Sequence, residues 1–588
     1  MFRIQLTLKR REACWRAVGL MVFGLWRSLA DAQTPPPQIP PLFGDPTGRS
    51  GEQPSIQREE PRPALPPAPV LPPLPPPTPR EFELIPSVQV FVREIRVAGS
   101  TVFPPEELAA VTRPYVNRTV THEDLEALRL ALTRLYIDKG YVNSGAILPD
   151  QRVTEGVVTY QIIEGRLTDI EVEGNRWFRS GYLQRRLALG AGPPLNVNAL
   201  QERFQLLLED QRIQRLSAEL KPGLQPGDSS LKVQVEERTP YRISLEFNNY
   251  QSPSVGAERG ILTAEHQNLT GNGDILRMQY GRSRGLEPLL DFRYALPVNA
   301  QDTTLIAQYR KNTYSIVEEP FNRLDVESKS DIYGLTVRHP LRRTLDTEVA
   351  LELTGERLSN KTFLLGEPFT LTPGAHQGES VVAALRFAQE AVYRTSEQVI
   401  AARSRFSLGV DALGATINND SGLPSGKFFA WLGQFQWVRR LPVLDSQLIL
   451  RADTQLTSDS LLGLEQFAVG GRYTVRGYRE NTFVRDNAVV ASVEARIPMV
   501  RNVRWADYLE LAPFFDYGRA WNANPPGDEA ASIYSAGIGL RWGARIPAAI
   551  PLRTQLEVYW GHPFRNIPTA GGNLQDRGIH LQFVLSAF

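Results

Sequence analysis

Few residues of this 588-residue sequence are arranged as reacting groups usually are. Gly281-Arg282-Ser283-Arg284-Gly285 fits the G-x-S-x-G pattern of a serine nucleophile. A nucleophile elbow, however, needs a strand, a sharp turn and then a helix. Strand-like residues 276–280 precede the motif and strand-like residues 289–294 follow it, so the pattern predicts a hairpin whose turn residues match by chance. Six histidines are scattered without metal-ligand spacing, and no phosphate-cradling P-loop occurs; no metal or other cofactor and no enzymatic activity are expected. The densest chemistry lies in Gly470-Gly471-Arg472-Tyr473-Thr474-Val475-Arg476-Gly477-Tyr478, a cation among glycines in a long loop between two strand-like segments. An arginine offers a planar fork of donors that can grip a carboxylate by two parallel hydrogen bonds, which lysine does not reproduce. Gly470, Gly471 and Gly477 permit the backbone of a tight fold-back.

The elements around that loop decide what it can do. Lys+Arg 65 against Asp+Glu 64 leaves no net field for nucleic acid. Residues 1–32 carry Lys9-Arg10-Arg11, an apolar run over 17–26 and Ala30-Asp31-Ala32, the order of a secretory signal cleaved after Ala32. The apolar run is about ten residues, and a spanning helix needs ~20. The only cysteine, Cys14, falls inside that signal, so the mature chain has no disulfide or thiolate chemistry. Residues 33–87 are a proline-dense, semi-rigid spacer, and 33–60, interrupted by Pro40, Pro46 and Pro54, contain no convincing helix. No later stretch is apolar enough for a membrane helix, so a membrane location requires a closed barrel.

Ile95-Arg96-Val97-Ala98-Gly99 recurs 75 residues later as Ile170-Glu171-Val172-Glu173-Gly174, which predicts two tandem α+β units over 88–165 and 166–238. The first has a helix over 123–138, with Leu125, Leu128, Leu132 and Leu135 on one face, and a closing strand over 157–163. The second has a helix over 200–213, with Phe204, Leu207 and Leu208 inward, and a closing strand over 231–235. A free sheet edge in either unit can pair with an extended client chain through main-chain hydrogen bonds.

From 239 to 588 the period becomes two. Tyr241, Ile243, Leu245 and Phe247 alternate with Arg242, Ser244, Glu246 and Asn248, and such segments number sixteen, the first near 241 and the last near 578. Strands of about ten residues and an even count fit an antiparallel outer-membrane barrel, greasy outside and wet inside. Pro297, Pro340, Pro442, Pro498 and Pro547 all fall after even-numbered segments, marking strand ends. Long links are expected at 313–329, 357–378 and 458–487, all after odd segments and therefore on the outer face. The chain ends in a strand with terminal Phe588, although Gln582 and Ser586 share its register.

Two tandem units, a barrel and Val475-Arg476-Gly477-Tyr478 together resemble the TpsB transporters of two-partner secretion, within the wider outer-membrane assembly superfamily. Residues 139–144 and 148–151 resemble the family's first POTRA (polypeptide-transport-associated) domain, and Pro513-Phe514-Phe515-Asp516-Tyr517-Gly518 its signature on the thirteenth strand. The resemblance implies that the loop 458–487 folds into the lumen and that Arg476 meets Asp516, with Phe514 and Gly518 beside them. Alternation places Asp516 with Ala512, Phe514 and Gly518 on the lumen face. The implied function is export of an unfolded exoprotein, recognised in the periplasm, through the barrel of a Gram-negative outer membrane without ATP. The implied partners are that exoprotein, outer-membrane lipid and the barrel-assembly machinery, with the transporter itself a monomer. The family commonly plugs its pore with an N-terminal helix, which 33–60 do not offer. A barrel-assembly insertase of the same superfamily is the alternative, disfavoured by a count of two repeats; a passive porin would not need the repeats.

Overall fold

The computed structural model describes residues 89–420, 422–524, 530–547, 551–569 and 571–588. The signal at 1–32 and the spacer at 33–87, with its helix-free 33–60, lie outside the described residues.

Two α+β units come first. In one, Glu94–Ala98 runs parallel to Val157–Ile163, which pairs antiparallel with Gly145–Ile147. Helix His122–Asp138 opens on Thr121, whose hydroxyl caps Asp124 while the Asp124 carboxylate accepts from the Thr121 amide. Its Leu128, Leu132 and Tyr136 pack on Val158, Tyr160 and Ile162. In the other unit Arg166–Glu173 runs parallel to Asp228–Glu237, which pairs antiparallel with Ile213–Pro222. Its long helix is Val197–Leu208, not 200–213. Ile213 is already in a strand, and Asp210 closes the turn before it by taking the Arg212 guanidinium at 2.7 and 2.6 Å. The repeated glycine has a shared cause: Gly99 (φ +83°) and Gly174 (φ +80°) both end the first strand in left-handed backbone, and a Cβ there would sit 2.6 Å from the Ile162 carbonyl and 2.5 Å from that of Val235.

The barrel follows, sixteen antiparallel strands from Tyr241–Asn248 to Ile579–Ala587, closed by pairing the last to the first with Phe583 opposite Phe247. A two-residue piece, Glu367–Pro368, only extends the outer end of the seventh strand, Thr347–Leu364. The exposed face carries Ile243, Leu245, Phe247, Met278, Phe435 and Trp560, and polar residues alternate with them toward the lumen. The sixth and seventh strands, Val326–Arg343 and Thr347–Leu364, have 18 residues each and continue their ladder outward. The links there accordingly shrink to 316–325 and 365–378, while 411–428 and 564–578 are further long outer links that period-two reading did not mark. Pro340 and Pro498 sit inside the sixth and twelfth strands at register shifts, not past their ends. A bulge tolerates the missing donor as a strand end does.

Candidate functional site: the loop inside the lumen

The wall that meets the loop is built by the twelfth and thirteenth strands, Asn487–Val503 and Ala506–Trp521, in a register that sets Ser492 opposite Asp516 and Glu494 opposite Phe514. Strand alternation turns Ser492, Glu494, Arg496, Phe514, Asp516 and Gly518 into the lumen, while Val493 and Phe515 face outward.

The link between Thr457 and Asn487 folds down into this lumen as a short hairpin, Phe467–Val469 against Phe483–Arg485. Its tip turns on Gly470, Gly471 and Gly477, with φ of +112°, +105° and +90°. Inside the tip, the Arg472 amide donates to Glu480 at 2.6 Å and the Gly470 amide to the Thr474 hydroxyl at 2.8 Å. The hairpin is therefore pre-shaped by its own bonds before the wall is counted.

Among the described residues Arg476 is the largest fully buried side chain, 1% exposed. Its Nε and Nη2 donate to the two oxygens of Asp516 at 2.8 Å each, its backbone amide to Asp516 Oδ2 at 3.0 Å, and Nη2 also to Ser492 Oγ at 3.1 Å. Nη1 donates to Glu494, which is held in turn by Arg496 Nε at 2.9 Å. The guanidinium lies 3.7 Å from the Phe514 ring centre, a stacking lysine cannot match. Ser492 donates to Asp516 at 2.7 Å and Ser535 to the Arg476 carbonyl. Every oxygen of Asp516 is thus engaged, in a bidentate geometry shielded from water.

The flanking residues fit the same pocket. Val475 and Tyr478 pack with Val469, Phe483, Val490 and Ile533, and Gly518 leaves the space into which a Cβ would strike Val469 and Val475 at 2.6 and 2.7 Å. The Tyr478 hydroxyl reaches the Tyr534 and Arg565 carbonyls at 3.1 Å each. Gly477 presses on Gly561 of the fifteenth strand, where a Cβ would fall 2.8 Å from the carbonyl oxygen, and its amide donates to His580 Nε2 at 3.3 Å.

The structure thus brings together Val475, Arg476, Gly477, Tyr478, Asp516, Phe514, Gly518, Gly470 and Gly471. Several anchors escaped sequence reading. Glu494 and Ser492 share a lumen phase that alternation could have exposed. Arg472 pairs with Glu557 at 2.8 Å, and Arg479 with Asp576 at 2.5 Å and Glu318 at 2.7 Å. At the loop's entry, Glu465 takes Arg386 of the eighth strand at 2.7 and 3.0 Å, and Arg386 also donates to Glu356 at 2.6 Å. The loop therefore touches the wall from the eighth strand round to the sixteenth. Ser283 ends the third strand with its hydroxyl on the Val255 carbonyl at 2.8 Å, and the fourth strand starts at Leu286, so the motif is a hairpin turn. Among the described residues no three His, Cys, Asp or Glu side chains converge as a metal site.

Comparison with known proteins agrees with this fold. The family model "Haemolysin secretion/activation protein ShlB/FhaC/HecB" matches residues 227–542, more than half of the chain, and "POTRA domain, ShlB-type" matches 90–165. The outer membrane transporter CdiB of Dickeya dadantii is 24% identical over 80% of this chain and 82% of its own length. The hemolysin transporter protein ShlB of Serratia marcescens is 25% identical over 70% and 72%. Among solved structures, CdiB from Escherichia coli superposes with a TM-score of 0.64 at 20% identity, covering 90% of this chain and 94% of that one. BamA from Haemophilus ducreyi reaches 0.50 at 15%, a likeness of fold alone. The chain belongs to the ShlB/FhaC/HecB family of haemolysin secretion/activation proteins, outer-membrane transporters of two-partner secretion whose POTRA domains lie in the periplasm.

Proposed function

We propose that the chain captures one unfolded, secreted exoprotein through its POTRA units and passes it through the barrel, with the loop 458–487 as the movable closure of the pore. The observation that carries this reading is Arg476, a cation held on Asp516 and Glu494 inside a lumen wide enough for sixteen strands. A buried charge is retained only in a place where its partners are fixed, and here the partners belong to the wall while the cation belongs to a loop. Such a contact is a latch: stable when engaged, and all-or-none when released. Val475, Gly477 and Tyr478 seat it, and Gly470 and Gly471 turn the chain back toward it.

In this reading the chain divides into a signal (1–32), a proline-rich spacer (33–87), POTRA 1 (88–165), POTRA 2 (166–238) and the barrel (239–588). It works as a monomer without cofactor and is inserted by the barrel-assembly machinery. Export needs no enzymatic step, since folding of the client outside supplies direction. Relatives named for transport of hemolysin and of heme/hemopexin support a secreted protein as cargo, and the family's transporters favour this role over an insertase. The test is coexpression with a large secreted protein that carries the N-terminal secretion domain of a two-partner system. Deleting 88–238 should abolish export while ion conductance of the assembled barrel persists; continued export by that variant would refute the capture step.

A further inference from the structure

The barrel, residues 239–588, contains only four lysines, Lys311, Lys329, Lys361 and Lys427. Three of them converge on one spot of its outer surface. Lys311 is on the fifth strand, Thr304–Ser315, Lys329 on the sixth and Lys361 on the seventh. Register places Lys311 beside Asp331 and Lys329 directly opposite Lys361, while Arg357 of the seventh strand lies opposite Tyr333. Lys329 shares its alternation phase with Tyr333, Leu335 and Val337, all exposed on the greasy face, whereas Ser328, Ser330 and Ile332 are buried toward the lumen. The patch therefore faces the membrane.

Its depth follows from the same ladder. Leu335, Val337 and Leu353 make the apolar band; Tyr333 (50% exposed) packs on Tyr309 at 4.9 Å between ring centres and marks the aromatic girdle. The three lysines stand on the extracellular side of that girdle, at the level of the outer-leaflet headgroups, and Arg357 is level with it. Like charges directly opposite each other on a sheet repel, yet both ammonium groups lean over one ring, Phe363, at 4.9 and 5.8 Å. Three carboxylates stand beside the four cations and leave one positive charge in excess. Glu327 takes Lys329 at 3.2 Å, Asp331 accepts from the Tyr309 hydroxyl at 3.0 Å, and Glu379 lies across the next ladder from Lys361. Arg357 donates to neutral oxygens, the Leu413 carbonyl at 3.0 Å and Ser359 Oγ at 3.2 Å. Among the described residues neither Lys311 nor Lys361 has an ion-pair partner.

We propose that Lys311, Lys329, Arg357 and Lys361 form a binding site for the phosphates of an outer-leaflet glycolipid, the lipid A of lipopolysaccharide. A phosphate between Lys329 and Lys361 relieves their repulsion, and its acyl chains lie along Leu335, Val337 and Leu353. The inference rests on the chain's place in the outer membrane and is independent of what the pore exports. The full-length protein in detergent is titrated with diphosphoryl lipid A, with its dephosphorylated form and with phosphatidylglycerol, and bound lipid is counted by native mass spectrometry. Lys329→Gln combined with Lys361→Gln should weaken diphosphoryl lipid A about thirtyfold, on the scale of one anionic-surface contact per lysine. Dephosphorylated lipid and phosphatidylglycerol should bind poorly to both proteins. Arg501→Gln, near the periplasmic end of the twelfth strand where the side chain pairs with Asp445, is the control and should bind as the parent does. Equal affinity of the double variant and the parent, absence of lipid A binding by the parent, or equal loss in the Arg501 control would each overturn the proposal. Heat-modifiable migration verifies that each barrel is folded; if the double variant is not, Lys361→Gln alone, with about fivefold weakening expected, decides.

Discussion

Arg476→Ala is the substitution whose cost can be worked most fully from the geometry. It removes one guanidinium from between Asp516 and Glu494, which are 0% and 1% exposed. Removing one partner of a buried ion pair costs about 3–5 kcal/mol, because the other charge stays behind. Two features hold the cost toward the lower bound: Glu494 keeps Arg496 at 2.9 Å and Asp516 keeps the Ser492 hydroxyl at 2.7 Å. Each 1.4 kcal/mol is a factor of about ten, so the docked loop should lose roughly two orders of magnitude against the undocked one. Trypsin reads this directly on the folded barrel, since Arg472, Arg479 and Arg485 lie in the loop and Arg472 and Arg479 are buried or half-buried when it is docked. The variant should be cut in the loop and conduct ions more often than the parent, and export should fall. Arg476→Lys should lie between the two, keeping a charge but losing the fork and the stacking on Phe514. A loop as trypsin-resistant in Arg476→Ala as in the parent, with the barrel intact, would refute the latch.

Other sites give narrower expectations. Gly477→Ala adds a Cβ at φ +90° and 2.8 Å from the Gly561 carbonyl, so about 1–3 kcal/mol of strain should loosen the tip and reduce export while heat-modifiable migration stays normal. Glu465→Gln and Arg386→Gln should each raise conductance, and the double variant no more than the worse single one, since both break a single contact; additive effects would contradict a shared anchor. In POTRA 1, burial opposes ionisation of Glu164, but hydrogen bonds from the Thr101 hydroxyl and amide, the Val102 amide and the Tyr136 hydroxyl outweigh it and hold its carboxyl below the ordinary value. A lowered folded pKa means stability that is complete above the unfolded value of roughly 4.3 and is lost as pH falls through the folded one. Hydrogen-exchange protection factors in the strand Val157–Ile163 of the full-length protein, taken against the intrinsic rate at each pH, should therefore fall on acidification, and Glu164→Gln should flatten that response.

Sequence made some of this architecture legible and hid the rest for identifiable reasons. The barrel could be read because a membrane on one side and water on the other force a strict period of two, as at Tyr241 to Asn248. Asp516 could be assigned to the lumen by that same phase. Register could not be read: nothing in the order of residues says that Ser492 faces Asp516 or that Lys329 faces Lys361, since these pairings depend on bulges such as the one beside Pro498. The outward extension of the sixth and seventh strands was hidden because Ser328, Ser330, Asn360 and Thr362, polar and buried toward the lumen, weaken the greasy alternation where the strands leave the membrane. The partners Glu494, Glu557 and Asp576 were missed for a related reason: an in-folded loop meets walls far away in sequence, and acidic residues on a wet lumen face look like any others.

The most direct test of the whole account is export in a purified system. The protein alone, reconstituted in liposomes with no nucleotide present, should move the N-terminal secretion domain of its exoprotein across the bilayer. The client should become protease-protected inside when added from the POTRA side, and Arg476→Ala should lower the yield. Correctly inserted, conducting protein that moves no client would contradict the claim that this chain is the translocator and that its in-folded loop governs passage.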